Sequence, residues 1–213
     1  MTKKRIGLAL ATALGMFPVA AALAEEGFYF GLGGGASMWD LPSKSEFDAI
    51  LGGIPATTSL EDVGEAWGLQ VGYRWVPWFA AEVGYIDLGK GLYEADLTST
   101  TLRYSVRYLS AGPTVSALGM LPLGERFDLH ARAGVYFGDT RVRERIEDRM
   151  TGDFMSFEGQ ASEKDLFGGV GIAWNINEAY SLRAEYQHFI DVGDEDHTGE
   201  QDIDFLSFIV LFR

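Results

Sequence analysis

Residues Phe127-Asp-Leu-His-Ala-Arg-Ala-Gly-Val-Tyr-Phe137 alternate without a break, with an apolar side chain at every odd position and Asp128, His130, Arg132, Gly134 and Tyr136 between them. Such a period of two is a β-strand with one face in oil and the other in a polar environment. The apolar face begins and ends in phenylalanine. Ten residue steps of about 3.3 Å at a tilt of about 40° climb about 25 Å, the height of the lipid-facing band of a transmembrane barrel.

Seven further segments carry related patterns: Phe28 to Ser37, Trp67 to Trp75, Phe79 to Tyr85, Thr101 to Leu118, Leu166 to Trp174, Tyr180 to His188, and the last strand through Leu206, Phe208, Val210 and Phe212. The fourth strand changes phase. Leu102, Tyr104, Val106 and Tyr108 keep one register, and Leu109, Ala111, Pro113 and Val115 take the other, which a bulge near Gly112 and Pro113, or a strand reaching well above the membrane, would explain. Short links at Val76-Pro77-Trp78, Leu121 to Glu125 and Ile176 to Ala179 alternate with long polar stretches at 38–63, 87–100, 139–163 and 190–203. The fold class expected is therefore all-β: an eight-stranded antiparallel transmembrane β-barrel with short periplasmic turns and long extracellular loops. In that arrangement Phe28, Trp75, Phe79, Phe127, Trp174, Tyr180 and Phe212 form an aromatic girdle on the periplasmic side.

The N-terminus reads as an export signal. Lys3, Lys4 and Arg5 precede an apolar run from Ile6 to Val19, and Ala22-Leu23-Ala24 offers a small-x-small cleavage site. Residues 1–24 are thus expected to be a cleaved signal peptide and 25–213 the barrel domain. Cleavage would remove three of the 17 basic residues and none of the 31 acidic ones, leaving 189 residues with a formal charge of −17. Nucleic acid is excluded as a partner, because its phosphates would be repelled. There is no cysteine for a disulfide or a lipid anchor.

Inward positions mix both signs: Arg74, Glu82, Arg107, Asp128, His130, Arg132, Arg183 and Glu185. Eight strands leave a lumen just wide enough for side chains. Unpaired charge there is costly, so these residues are expected to form an ion-pair network. Arg141, Arg143 and Arg145 continue the outward phase of the fifth strand beyond Phe137, where lipopolysaccharide phosphates would sit; pairing with Glu144, Glu147 and Asp148 is the alternative. Asp194-x-Asp196-x-Thr198-Gly199 has Phe205 where a calcium loop needs a bidentate Glu, so no metal site is expected.

The chain resembles the OmpA-like eight-stranded outer-membrane barrel family in Phe79-Ala-Ala-Glu-Val-Gly-Tyr85, in Leu121-Pro-Leu-Gly-Glu-Arg-Phe127 and in Ala131-Arg-Ala-Gly134. The last strand resembles the signal read by the barrel-assembly machinery; the last residue is Arg213, so either Phe212 serves as its aromatic or the usual final residue is missing. The resemblance implies a bacterial outer-membrane location and a barrel domain alone, without a periplasmic peptidoglycan-binding domain. Related barrels include lipid A modifying enzymes. The deacylase type carries His-x-Ser, whereas His188 is followed by Phe189 and Ile190, and His197 by Thr198 and Gly199. No catalytic residue and no cofactor are expected. The reading is a monomeric barrel with a structural or adhesive role, whose partners are outer-membrane lipids and lipopolysaccharide, the assembly machinery, and a host or cell-surface ligand at the loops. A narrow small-solute channel, or a lipid A modifying enzyme, is the alternative.

Overall fold

The structure, a computed structural model, describes residues 26–194 and 196–213. The signal-peptide reading of residues 1–24 lies outside them. Nine strands and one short helix follow in order: β1 Gly27–Trp39, α1 Lys44–Ile50, β2 Ala56–Glu61, β3 Val63–Val76, β4 Phe79–Leu97, β5 Leu102–Leu123, β6 Phe127–Asp148, β7 Phe154–Asn175, β8 Tyr180–Asp194 and β9 Gly199–Phe212. All except β2 pair antiparallel with their neighbours in a closed ring, β1-β3-β4-β5-β6-β7-β8-β9, which β9 completes by pairing with β1. Closure satisfies the backbone groups that lipid cannot.

In the lower half, at the end of the short turns, the faces separate as the alternation requires. On β6, Asp128, His130 and Arg132 are buried inside, while Phe127, Leu129, Ala131 and Ala133 are exposed outside. The seven expected girdle aromatics are all exposed. Several touch edge to face: Phe28 meets Tyr73 at 4.8 Å, and Tyr180 meets Phe212 at 5.5 Å.

The strands do not stop at the lipid. β5, β6 and β7 each run for 22 residues, which at about 3.3 Å per residue and a tilt of about 40° is a climb of about 50 Å, twice the lipid band. The stretches expected as loops are corrected accordingly. Most of 87–100, 139–163 and 190–203 is strand, closed by tight turns, and 38–63 contains α1 and β2, which pairs with the top of β4.

Above the lipid the polarity of the wall inverts, because water now lies outside and a protein core must form inside. Trp39, Phe47, Tyr93, Val106, Tyr136 and Phe189 belong to one buried apolar cluster there. Of the two explanations for the phase change in the fourth strand, the strand that rises above the membrane holds and the bulge near Gly112 and Pro113 does not. β5 is regular through Gly112 and Pro113, with Ala111 opposite Asp139 and Thr114 opposite Tyr136 in one unbroken register. Its even residues face inward throughout, so Val106 enters the core while odd Leu109 and Val115 face outward. The irregularity lies across the ladder, on β4 between Asp87 and Lys90, where Gly89 adopts φ +70°.

The first loop caps this core. Ser43 and Glu46 form a capping box, with Ser43 N–H donating to Glu46 Oε2 at 2.8 Å and Glu46 N–H to Ser43 Oγ at 3.4 Å. A seven-residue helix needs tertiary support, and Phe47 provides it by stacking on Tyr93 at 4.5 Å. The Tyr93 hydroxyl donates to Asp48 at 2.8 Å. Hydrogen bonds from Lys44 and then Tyr93 hold the Asp48 carboxyl below its ordinary range.

Candidate functional site

Glu82 on β4 is the hub of the lower lumen. It accepts from Tyr29 Oη at 2.6 Å, Arg132 Nη2 at 2.5 Å and Arg183 Nη1 at 2.8 Å. Tyr29 reaches it because its register partner on β3 is Gly72, and the ring lies where a Cβ at 72 would be, at 2.2 Å. Glu185 on β8 is the second anion. Arg132 Nη2 donates to it at 3.1 Å, and Arg132 Nε stands 2.6 Å from its other oxygen, off the line of a straight hydrogen bond. His130 Nε2 lies at 3.4 Å and Arg183 Nη1 at 3.8 Å from the same carboxylate. The Gln70 amide, with nitrogen toward Glu82 at 3.3 Å and oxygen toward Arg183 at 3.0 Å, fills the remaining angle.

Nearer the turns, Asp128 accepts from Arg74 Nη1 at 3.4 Å and Asn175 Nδ2 at 3.1 Å. Arg74 also donates to the Pro77 carbonyl. A cavity of about 190 Å³ opens beneath them, lined by Tyr29, Arg74, Asp128, His130, Arg183 and Arg213 among others. Three buried guanidiniums thus face three buried carboxylates, held by β3, β4, β6 and β8.

Seven of the eight residues expected in the lumen come together in this way. Arg107 does not. It is exposed on the outer wall of β5, because that level is above the lipid, where the inner face is taken by Val106 and Tyr108. Tyr29, Gln70 and Asn175 were not among the expected network residues. Tyr29 carried a signal, an inward phenol between outward Phe28 and Phe30.

The rim arginines are on the outer face, and each meets a carboxylate of its own chain. Arg141 Nη2 lies 3.2 Å from Asp139, Arg143 Nη2 2.5 Å from Glu158, and Arg145 Nε 3.2 Å from Glu147, with the Arg145 guanidinium 4.0 Å above the Phe154 ring. Arg107 is the register partner of Arg143, and Arg107, Arg141 and Arg143 line one groove with Tyr85 and Leu109. His188 pairs with Asp204 at 2.8 Å, and the Tyr186 hydroxyl donates to the same carboxylate at 2.5 Å.

A family model described as the OmpA-like transmembrane domain matches residues 23–213. No curated protein matches the chain by sequence. Among solved structures, Neisserial surface protein A is similar at 13% identity and a TM-score of 0.48, over 87% of this chain and 96% of that one. Ail, the attachment invasion locus protein of Yersinia pestis, solved with the heparin analogue sucrose octasulfate, has 12% identity and a TM-score of 0.47, over 88% of this chain and 100% of that one. OprG from Pseudomonas aeruginosa has 11% identity and a TM-score of 0.47, over 88% and 97%.

Proposed function

The chain belongs to the OmpA-like transmembrane domain family, and on that premise we propose that this outer-membrane β-barrel serves surface recognition or adhesion through its extracellular extension. One observation carries the reading: the strands rise far above the lipid and enclose a continuous apolar core, buried at Trp39, Phe47, Tyr93, Tyr136 and Phe189, where a pore would need water. Below that core the lumen is crossed by the Glu82 and Glu185 ion pairs. A wall this tall serves to display side chains, and its hairpins hold them on rigid strands.

In planar bilayers the protein is expected to give no steady single-channel steps. Cells displaying it should be captured by immobilised surface proteins, and replacing residues 145–156 with a tight turn should abolish capture while leaving the heat-modifiable gel shift of the barrel intact. Steady conductance would favour the small-solute channel instead, and capture that survives the shortened hairpin would remove the recognition role from this extension.

Lipopolysaccharide is the lipid partner we propose for the outer groove. Arg107 and Arg143 stand opposite each other across the β5–β6 ladder, a like-charge pairing that the Arg143–Glu158 bridge at 2.5 Å offsets from one side and that a bound anion would relieve further. A phosphate there would be held by charge-assisted bonds just above the apolar band that ends near Tyr85 and Phe137. Replacing both arginines by Gln should weaken lipopolysaccharide binding about tenfold at low salt and leave folding in neutral detergent unchanged. Unaltered affinity would return both residues to ordinary wall surface.

A further inference from the structure

The barrel wall splits above the lipid. The β7–β8 ladder runs from Asn175 opposite Ser181 only to Phe167 opposite Phe189. Beyond that level β7 stays paired to β6 as far as Phe154 opposite Glu147, and β8 stays paired to β9 as far as Asp194 opposite Gly199. From Phe154 to Leu166, therefore, the β8 side of β7 has no ladder partner among the described residues. The β8–β9 tip leans inward instead: a Cβ on Gly159 would meet the His197 carbonyl at 2.4 Å.

What remains is an extended strand edge about 40 Å long at about 3.3 Å per residue, with a row of peptide groups that an incoming strand can pair. Its side chains include a large apolar component. Met155 and Phe157, on the inner face, are 61% and 63% exposed, and Phe154 on the outer face is 57% exposed.

Charge selects the occupant. Glu163 and Asp165 on β7, Asp191 and Asp194 on β8, and Glu200 and Asp202 on β9 frame the split, with Lys164 and His197 as the only cationic residue types in 159–166 and 190–202. Arg143 and Arg145 are turned to the outer wall and paired with Glu158 and Glu147. A second copy of this chain would bring the same carboxylates to the contact and be repelled.

We propose that the β7 edge is a strand-addition site for an extended, lysine- or arginine-rich segment of another protein, whose inward side chains are basic beside Glu163 and Asp165 and apolar beside Met155 and Phe157, since these four residues share the inner face of β7. The site uses main-chain pairing for affinity and alternate side chains for selectivity. It rests on the recognition reading and gives it a partner chemistry.

The test uses the full barrel in nanodiscs and two synthetic nine-residue probes, one with Lys at one end and Val at the other end of a single strand face and Thr elsewhere, the other with Glu in place of each Lys. The Lys-Val peptide should bind, and hydrogen exchange should slow at alternate amides within 154–166. The triple substitution Asp191→Asn, Asp194→Asn and Asp202→Asn should weaken binding about tenfold, at the scale of three exposed ion pairs. Equal binding of the Glu-Val peptide, no binding of the Lys-Val peptide, or binding without new protection at 154–166 would each overturn the proposal. Protection at another hairpin would overturn the β7 site while leaving the recognition reading intact. Steady channel conductance would defeat that reading without touching the β7 result.

Discussion

Replacing Glu82 by Gln should lower the stability of the barrel by about 3–5 kcal/mol, the scale of breaking a buried ion pair from one side. The carboxylate holds two guanidiniums, Arg132 and Arg183, and a phenol, Tyr29, and all four side chains are buried. The amide would keep one acceptor and turn a donor toward a guanidinium, which has only donors to offer. Two positive charges would then share Glu185, at 2.6 Å from Arg132 and 3.8 Å from Arg183. Urea unfolding in phospholipid bilayers, followed by loss of the compact gel species, measures the change. Adding Arg132→Gln to Glu82→Gln should recover part of the loss by restoring the balance of charge, a coupling expected of residues in contact. Asp128→Asn should cost less, because Arg74 keeps the Pro77 carbonyl and its bond to Asp128 is long, at 3.4 Å. An unchanged unfolding midpoint for Glu82→Gln would mean that the lower lumen is wet enough to solvate the guanidiniums, and the packed network would fail as a description.

How much of this the sequence discloses depends on where the membrane lies. Within the lipid band a single rule governs both faces of each strand, so Phe127 to Phe137 reveals which residues point at lipid and which at the lumen. Arg107 breaks the inference because it sits one level higher. There the rule reverses, and the sign of it in the sequence, the change of phase between Tyr108 and Leu109, does not by itself tell a strand that has left the membrane from a bulge. For the same reason the top of β6 reads as loop: Arg141, Arg143, Glu144, Arg145 and Glu147 hide the inward row of Val142 and Ile146, which only a core already formed by β4 and β5 makes meaningful. The capping helix was legible in principle, since Ser43, three residues before Glu46 and followed by Phe47, is a helix-start signature. Tyr29 as donor to Glu82 was not, because the two residues meet across the lumen from strands 53 positions apart in the chain.

The same guanidinium should be tolerated or damaging according to a shift of one residue on β6. Arg132 is native, buried in the lumen, and balanced by Glu82 and Glu185. The next residue, Ala133, is exposed on the outer wall, opposite Ala117 on β5 and Gly168 on β7, and about midway between the Phe127 and Phe137 edges of the lipid band. Ala133→Arg should therefore place a charge at the bilayer midplane and cost about 2–4 kcal/mol. Small neighbours give it little aliphatic surface along which to reach the headgroups. Leu129→Arg, one step above the Phe127 girdle, should cost less, because the cost falls toward the interfaces and the side chain can extend to water. Reversible folding into phosphatidylcholine bilayers separates the two values, and spin labels give the orientation independently: dissolved oxygen should reach a label at 133 readily and one at 132 poorly. If the labels are equally accessible, or if Ala133→Arg folds as well as the native chain, then the outer face of β6 does not meet hydrocarbon, and the alternation from which the barrel was read has another cause.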